Sequence, residues 1–241
     1  MKKRQIATAL ICMGLVGGVS TILFANRHEA THALAEQKTQ SSQAQTPVAK
    51  HIVKSPTIDF SQTGPIQHIV WDRTEQTDEY WQNVETGEWR SVMTDHARGI
   101  VKTAIAGKDH ILYVFTTQDG KLVSAEKIPQ LNNDGKSMRI IDNKKINDVS
   151  KFKFVKDDTI NGRSVKVWEN KLKTPEGQAV SQKIVVDQAT RLPLQIESAR
   201  DGASTVQTWS YSYLPYDASL FQIPGNITFK EMPPVDSTPG K

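Results

Sequence analysis

The most recognisable chemical pattern in the sequence is H-E-x-x-H, formed by His28, Glu29 and His32. On a helix this spacing places two imidazoles on one face to bind zinc, and the glutamate can activate a metal-bound water, as in zinc metallopeptidases. The context argues against that chemistry, because the pattern directly follows an apolar segment and no acidic helix follows to supply a third ligand. We interpret it as a chance match and keep a zinc metallopeptidase as a remote alternative.

Other residues that could carry catalysis lack the partners that a reaction needs. Asp95, His96 and His110 have no nucleophile or second acid at a fixed spacing. No G-x-S-x-G pattern, phosphate-binding glycine loop or Cys/His cluster occurs in the sequence. The single cysteine, Cys12, lies in the apolar leader, so neither an internal disulfide nor a cysteine-based zinc site can form. We therefore predict a non-enzymatic protein that uses no metal and no cofactor.

Aromatic residues are better candidates for a binding surface. They lie on segments with strand periodicity, and a curved sheet can gather such residues into an apolar cavity for a ligand. The same residue types dominate the core of any β domain, and each one taken singly is better explained as core. The candidate ligand-binding residues are Trp81, Trp89, Tyr113, Phe115, Trp168, Trp209 and Tyr211.

The beginning of the chain has the pattern of an export segment. Lys2, Lys3 and Arg4 precede an uncharged apolar stretch over residues 6–25, which is long enough to span a bilayer. A small-x-small cleavage pattern lies late, at residues 33–35. We predict that residues 1–35 form a signal-anchor or signal peptide with a juxtamembrane segment, and we favour an uncleaved anchor.

This leader has two consequences for the rest of the chain. The positive flank stays in the cytoplasm, so the protein lies on the extracytoplasmic face of the membrane, or is periplasmic or secreted if the leader is cleaved. Residues 36–56 are rich in Gln, Ser, Thr and Ala and predict a flexible polar linker.

The charge of the exported part argues against a nucleic-acid partner. The whole chain has 30 basic and 26 acidic residues. Residues 1–35 contain 4 of the basic and 1 of the acidic residues, which leaves 26 against 25 for the remainder. This nearly neutral balance does not indicate a basic surface for nucleic acid, and we predict no nucleic-acid partner.

Residues 57–230 show the periodicity of a mainly β domain. In residues 66–71, Ile66, His68 and Val70 alternate with Ile69 and Trp71. Apolar and polar residues also alternate over residues 205–213, which predicts Trp209, Tyr211 and Tyr213 on one face. Asn161-Gly162 is typical of a type I′ hairpin turn. Asp187–Thr190 predicts the turn of a second hairpin, between residues 184–186 and 192–197.

Short turns and the lack of a long amphipathic helix predict an antiparallel meander. A strongly curved sheet, or half-open β-barrel, is the natural way to give such a meander a core. For the hairpin around Thr86-Gly87 we expect Val84 opposite Trp89, Tyr80 opposite Met93 and Trp81 opposite Val92. Residues 231–241 predict a disordered tail.

Four motifs in the second half of the domain resemble the outer-membrane lipoprotein carrier superfamily. They occupy residues 159–168 (TINGRSVKVW), 184–197 (IVVDQATRLPLQIE), 211–213 (YSY) and 217–224 (DASLFQIP). The superfamily includes periplasmic lipoprotein chaperones, related regulators that bind anti-sigma factors, and exported Gram-positive relatives. The resemblance implies a half-open β-barrel whose concave sheet holds acyl chains or a partner.

Two functions follow from the residues and the resemblance together. The first is an exported, membrane-tethered, non-enzymatic domain that binds a lipid, an acyl chain or a lipoprotein. The alternative is a regulatory protein that acts on a membrane partner such as an anti-sigma factor. The sequence leaves the choice, the ligand and the oligomeric state open.

Overall fold

The computed structural model of the protein describes residues 51–129, 149, 152–173, 179–200 and 202–234. All of them belong to one compact unit, Lys50–Lys241. The predicted leader, the His28–His32 pattern, the linker up to residue 50 and the tail beyond residue 234 lie outside the described residues. Within the described part, no helix has the length and apolar character needed to cross a membrane.

The described residues form thirteen β-strands and one short 3₁₀ turn, Ala218–Phe221. The first seven strands are β1 (Ile58–Asp59), β2 (Ile66–Arg73), β3 (Gln76–Asn83), β4 (Trp89–Asp95), β5 (Ile100–Ala106), β6 (Ile111–Gln118) and β7 (Lys121–Pro129). The remaining six are β8 (Lys153–Ile160), β9 (Arg163–Lys173), β10 (Ala179–Asp187), β11 (Pro193–Arg200), β12 (Ala203–Leu214) and β13 (Lys230–Glu231).

Strands β2–β7 and β8–β12 form two antiparallel meanders of one sheet, and the short strands β1 and β13 join it by parallel pairing. The order across the sheet is β13-β7-β6-β5-β4-β3-β2-β12-β11-β10-β9-β8, so the pairing of β12 with β2 joins the meanders. The first and last strands in this order do not pair, and the curved sheet therefore stays open. This confirms a mainly β chain with a large, unclosed antiparallel sheet.

The hairpin turns follow the residue types at each turn. Asn161 and Gly162 both have positive φ, 49° and 76°, as a type I′ turn requires, and the predicted turn between β8 and β9 is confirmed. Asp119 and Gly120 repeat this geometry between β6 and β7. Pairing of Ile184 with Ile196 confirms the predicted hairpin of β10 and β11.

The register across the sheet defines two faces. We name face A after Asp72 and face B after Trp209, because alternate residues of each strand point to opposite sides. On β2, Ile66, His68 and Val70 belong to face A, and Ile69 and Trp71 to face B, as predicted. Buried apolar side chains occur on both faces: Ile66 and Ile105 on face A are 0% and 1% exposed, and Ile69 on face B is 3% exposed.

The predicted register of the β3–β4 hairpin is wrong by two residues. Trp89 pairs with Gln82, and Tyr80 with Ser91, so the connecting loop is longer than the two residues we expected. Asn83 explains the difference, because its side-chain oxygen accepts hydrogen bonds from the amides of Glu85 and Thr86 and builds a wider turn. A shift of two residues keeps every side chain on its expected face.

Segments at both ends of the described domain cross face A. Residues 51–57, which we call the N-terminal strap, pass over β2 and β12 before β1 pairs beside β12. Residues 215–229 pass over β4 to β6, where the Leu220 carbonyl accepts a hydrogen bond from Arg90. Phe229 then contacts the rings of Tyr113 and Phe115. The chain itself thus covers much of face A.

A buried carboxylate ties the β8–β9 turn to the β10–β11 turn. Asp187 is 1% exposed, and it accepts hydrogen bonds from Arg163 Nε at 2.9 Å and Nη2 at 3.2 Å. Its second oxygen also accepts from the amide and the hydroxyl of Thr190. Burial alone would raise the pKa of Asp187, but the hydrogen bonds from Arg163 and Thr190 outweigh it and lower the pKa below its usual value.

This ion pair predicts a large loss of stability in an Arg163→Ala variant. The change leaves the Asp187 charge buried without its guanidinium partner, and the expected cost is about 3 kcal/mol of the free energy of unfolding. Urea denaturation measures it. The matched control is Lys183→Ala, whose half-exposed ammonium lies 3.9 Å from Glu197 and should cost less than about 1 kcal/mol. Equal losses in the two variants would contradict the prediction.

The same pair sets a pH dependence. Because the folded pKa of Asp187 is lowered, its stabilising contribution is fully present above the unfolded carboxyl pKa and disappears as the pH falls through the folded value. The stability difference between wild type and Arg163→Ala should therefore shrink in acid, below about pH 4.

Candidate functional site

The seven aromatic residues predicted to bind a ligand do not share one surface. Register across the sheet places three of them on face A and four on face B. The face A residues are Trp81, Tyr113 and Phe115, and the face B residues are Trp89, Trp168, Trp209 and Tyr211. A single cavity lined by all seven would need both sides of one sheet, so any ligand surface uses only a subset.

On face B the aromatic residues pack against each other. Trp209 stacks on Trp71 with ring centroids 5.6 Å apart, and Trp89 stacks on Tyr80 at 5.9 Å. Tyr211 is 3% exposed, and its hydroxyl donates to the Pro193 carbonyl at 2.9 Å. Burial raises the pKa of this phenol, which keeps it a neutral donor. These contacts are those of a core, and they anchor β12 at the centre of the sheet.

The remaining candidates are partly accessible but already have ring partners. Trp81 stacks on His68 at 4.8 Å, and Phe229 covers Tyr113 and Phe115 edge-on. Trp168 contacts Phe154 of the edge strand β8 at 5.5 Å. Trp168 and Phe154 together form a partly exposed aromatic pair close to one border of the sheet.

A second cluster, which the sequence did not indicate, lies under the N-terminal strap. His51 on the strap, Asp72 on β2 and His96 immediately after β4 bring one ligand atom each to within 4.8 Å of one another. His51 Nε2 lies 2.7 Å from Asp72 Oδ1, and the two imidazole rings stack with centroids 3.8 Å apart. Two imidazoles and a carboxylate are the donor set of many zinc sites.

Strand pairing explains how Asp72 and His96 meet. Thr77 on β3 pairs directly with Asp72, and its hydroxyl donates to Asp72 Oδ1 at 2.7 Å. The same hydroxyl oxygen lies 2.8 Å from His96 Nε2. Thr77 therefore bridges the carboxylate and the second imidazole.

Hydrogen bonds around the carboxylate at the centre of this cluster favour its ionised form. Asp72 is 3% exposed, and burial alone would raise its pKa. The Lys54 amide, which donates to Oδ2 at 2.7 Å, together with Thr77 and His51, reverses that effect and lowers the pKa. Burial and the neighbouring His51 lower the pKa of His96. The site is thus a carboxylate that accepts hydrogen bonds from the strap and from Thr77 on β3.

Sequence reasoning missed this cluster because its members are far apart in the chain. His96 was considered only as an isolated histidine, and His51 fell in the segment expected to be a linker. Strand pairing brings Thr77 to Asp72, but only the path of the strap brings His51 there. The available signal was the carboxylate of Asp72, the next-to-last residue of β2, which lies five residues before Thr77.

We predict that Asp72→Asn loosens the strap. The change removes a charged acceptor from the Lys54 amide and His51, and hydrogen bonds to charged groups contribute about 1.5–3 kcal/mol each. Amide exchange at Lys54 should become at least about tenfold faster. The control is Asp109→Asn, which removes an exposed acceptor of the Tyr113 hydroxyl far from the strap in the chain. Unchanged exchange at Lys54 would contradict a role for Asp72 in docking the strap.

The chain resembles solved structures of MucB. No protein-family model and no curated protein matches the chain. It is similar to MucB in complex with MucA(peri) and to the Pseudomonas aeruginosa MucA/MucB complex, at 15% identity and a TM-score of 0.30 over 66% of this chain. A crystal structure of MucB matches at 13% identity, with a TM-score of 0.30 over 67% of this chain.

The matched part of this chain covers 54%, 55% and 58% of those MucB chains, which is less than two thirds of their length. A likeness at this identity and score carries no argument about function. The resemblance to the lipoprotein carrier superfamily therefore stays a prediction.

Proposed function

We propose that the protein is an exported, membrane-tethered and non-enzymatic regulatory domain that binds an extended segment of a membrane protein along strand β8. The observation that carries this proposal is the exposure of that strand. Seven of its eight residues are exposed, including the large apolar side chains of Phe154 and Val155 at 42% and 48%. An exposed edge strand presents unpaired N–H and C=O groups that another strand can pair with.

The two borders of the sheet differ in a way that favours β8. At the opposite border, β13 pairs with Glu126 and Lys127 of β7, so the chain's own C-terminal part occupies that position. The outer side of β8 pairs with no strand of the described residues. A partner strand would add backbone hydrogen bonds there without displacing anything that the structure describes.

The charged residues on β8 would determine which side chains a bound segment needs. Lys153, Lys156, Asp157 and Asp158 surround the apolar pair, and such charges normally discourage indiscriminate strand pairing. Lys156 pairs with Asp158 at 2.6 Å, and Asp157 pairs with Lys166 at 3.1 Å. A fitting segment is therefore extended, with apolar side chains next to Phe154 and Val155 and mixed charge beyond them.

Lipid binding is the second candidate, because one aromatic group on face B remains accessible. Trp168 is half-buried, and it contacts the exposed ring of Phe154. An acyl chain can bind to such an apolar surface without pairing with an exposed strand. The two candidates overlap at Phe154, so the experiments must separate a protein partner from a lipid.

Photo-crosslinking in cells tests the protein partner. A photoreactive residue that replaces Val155 in the full-length chain should form an adduct with a membrane protein. The mass of this adduct should differ from that of two linked copies of the chain. The control places the same residue at Val123 on β7, which is also exposed, at 62%. Phe154→Lys should abolish the adduct and leave the fold intact, because the side chain is exposed. An adduct of two copies of this chain, or equal yields at Val155 and Val123, would refute the proposal.

Native mass spectrometry tests the lipid candidate. The full-length chain and its Trp168→Ala variant carry the same N-terminal segment, so lipid bound to that segment cancels in the comparison. The proposed function predicts equal lipid content in both. Stoichiometric lipid that is lost in Trp168→Ala would instead support a lipid-binding domain, and the crosslink at Val155 would then be expected to fail.

A further inference from the structure

We propose that His51, Asp72 and His96 form a binding site for a divalent transition metal of the zinc class, and that the metal fastens the N-terminal strap to the sheet. The inference is independent of the partner proposed for β8. It differs from the sequence-based expectation that the chain binds no metal. It also assigns the metal to a site that shares no residue with the His28–His32 pattern.

The donor set suits this class of metal. Imidazole nitrogen and carboxylate oxygen bind zinc with bonds of about 2.0–2.2 Å, usually in tetrahedral geometry. The three candidate ligand atoms already lie within 4.8 Å of one another. Donors on one tetrahedral zinc are about 3.4 Å apart, so movements of about an ångström bring these atoms to a common ion. Calcium and magnesium prefer all-oxygen sites and fit this donor set poorly.

Hydrogen bonds around the carboxylate already resemble those that orient metal ligands. The Lys54 amide donates to Asp72 Oδ2 at 2.7 Å, which turns Oδ1 towards the two histidines. Thr208 holds the strap beside this point, because its hydroxyl donates to the Lys54 carbonyl at 2.8 Å. Such second contacts fix the direction of a ligand before the metal arrives.

The donor and acceptor roles in this hydrogen-bond network indicate which contacts a metal would replace. The ionised carboxylate has no proton, so His51 Nε2 donates to Oδ1, and the Thr77 hydroxyl donates to the same oxygen. Thr77 Oγ1 then accepts from His96 Nε2. A neutral imidazole frees Nε2 for a metal by moving its proton to Nδ1. One metal ion would thus replace two hydrogen bonds, the one from His51 to Asp72 and the one from His96 to Thr77.

The positions of the three ligands indicate the structural effect that a bound metal would have. Asp72 lies on β2 of the sheet and His96 directly follows β4, whereas the third ligand, His51, belongs to the strap. A metal that binds all three stabilises the docked strap over the released one by mass action. The role we assign is therefore structural, as a fastener at the point where the chain enters the domain.

The test measures zinc binding by the full-length chain, purified without a polyhistidine tag and stripped with a chelator. We expect one zinc per chain by elemental analysis, visible Co²⁺ absorption bands typical of tetrahedral coordination, and slower amide exchange at Lys54 when zinc is added. His51→Ala and Asp72→Asn should each weaken zinc binding by at least about 100-fold, since each removes a direct ligand.

The chain offers a matched control in its other histidine pair. His28→Ala/His32→Ala removes the H-E-x-x-H pattern and should retain the zinc, the cobalt spectrum and the slowed exchange. His51→Gln keeps a polar side chain of similar reach, so its circular dichroism should match wild type while zinc binding is lost. Zinc that persists in His51→Gln, zinc that disappears with His28 and His32, or no stoichiometric zinc at all would overturn the proposal.

Discussion

An open sheet with apolar side chains on both faces needs other segments of the chain to shield those faces from water, and the rest of the fold depends on this constraint. A closed barrel hides one face inside and removes its edges, but the first and last strands here do not pair. Face A is covered by the two ends of the described domain, the strap over β2 and β12 and residues 215–229 over β4 to β6. The exposed strand β8 is a direct consequence of the same lack of closure.

Two buried aspartates hold this arrangement together by similar means. Asp187 gathers donors from Arg163 and Thr190, and Asp72 gathers donors from His51, Lys54 and Thr77. A buried carboxylate is costly unless several donors satisfy it, so each one specifies the position of segments that meet there. Asp187 joins neighbouring turns of one meander. Asp72 joins the strap to the seam between the two meanders, where β2 meets β12.

Local patterns in the sequence predict the strands and their faces but not which distant segments meet. The alternation in β2 and β12 was sufficient to assign faces to Trp71 and Trp209, and positive φ at Asn161 and Gly162 follows from residue type alone. The register around Trp89 was missed because Asn83 builds a wider turn through its side chain. His51, Asp72 and His96 were missed because their proximity depends on the path of the strap, which no periodicity encodes.

The strap also connects the candidate metal site with the candidate binding edge. Its His51 lies at Asp72, and its Pro56 carbonyl accepts a 2.7 Å hydrogen bond from the Asn161 side chain in the β8–β9 turn. Asn161 follows the last residue of β8, so a docked strap restrains the end of the exposed strand. Energetic coupling between two sites requires an element with two states that both sites bias. The strap supplies a physical connection of this kind, because it contacts the metal site and the turn that ends β8. Its hydrogen bonds go to Asp72, Thr208, Ser210 and Asn161.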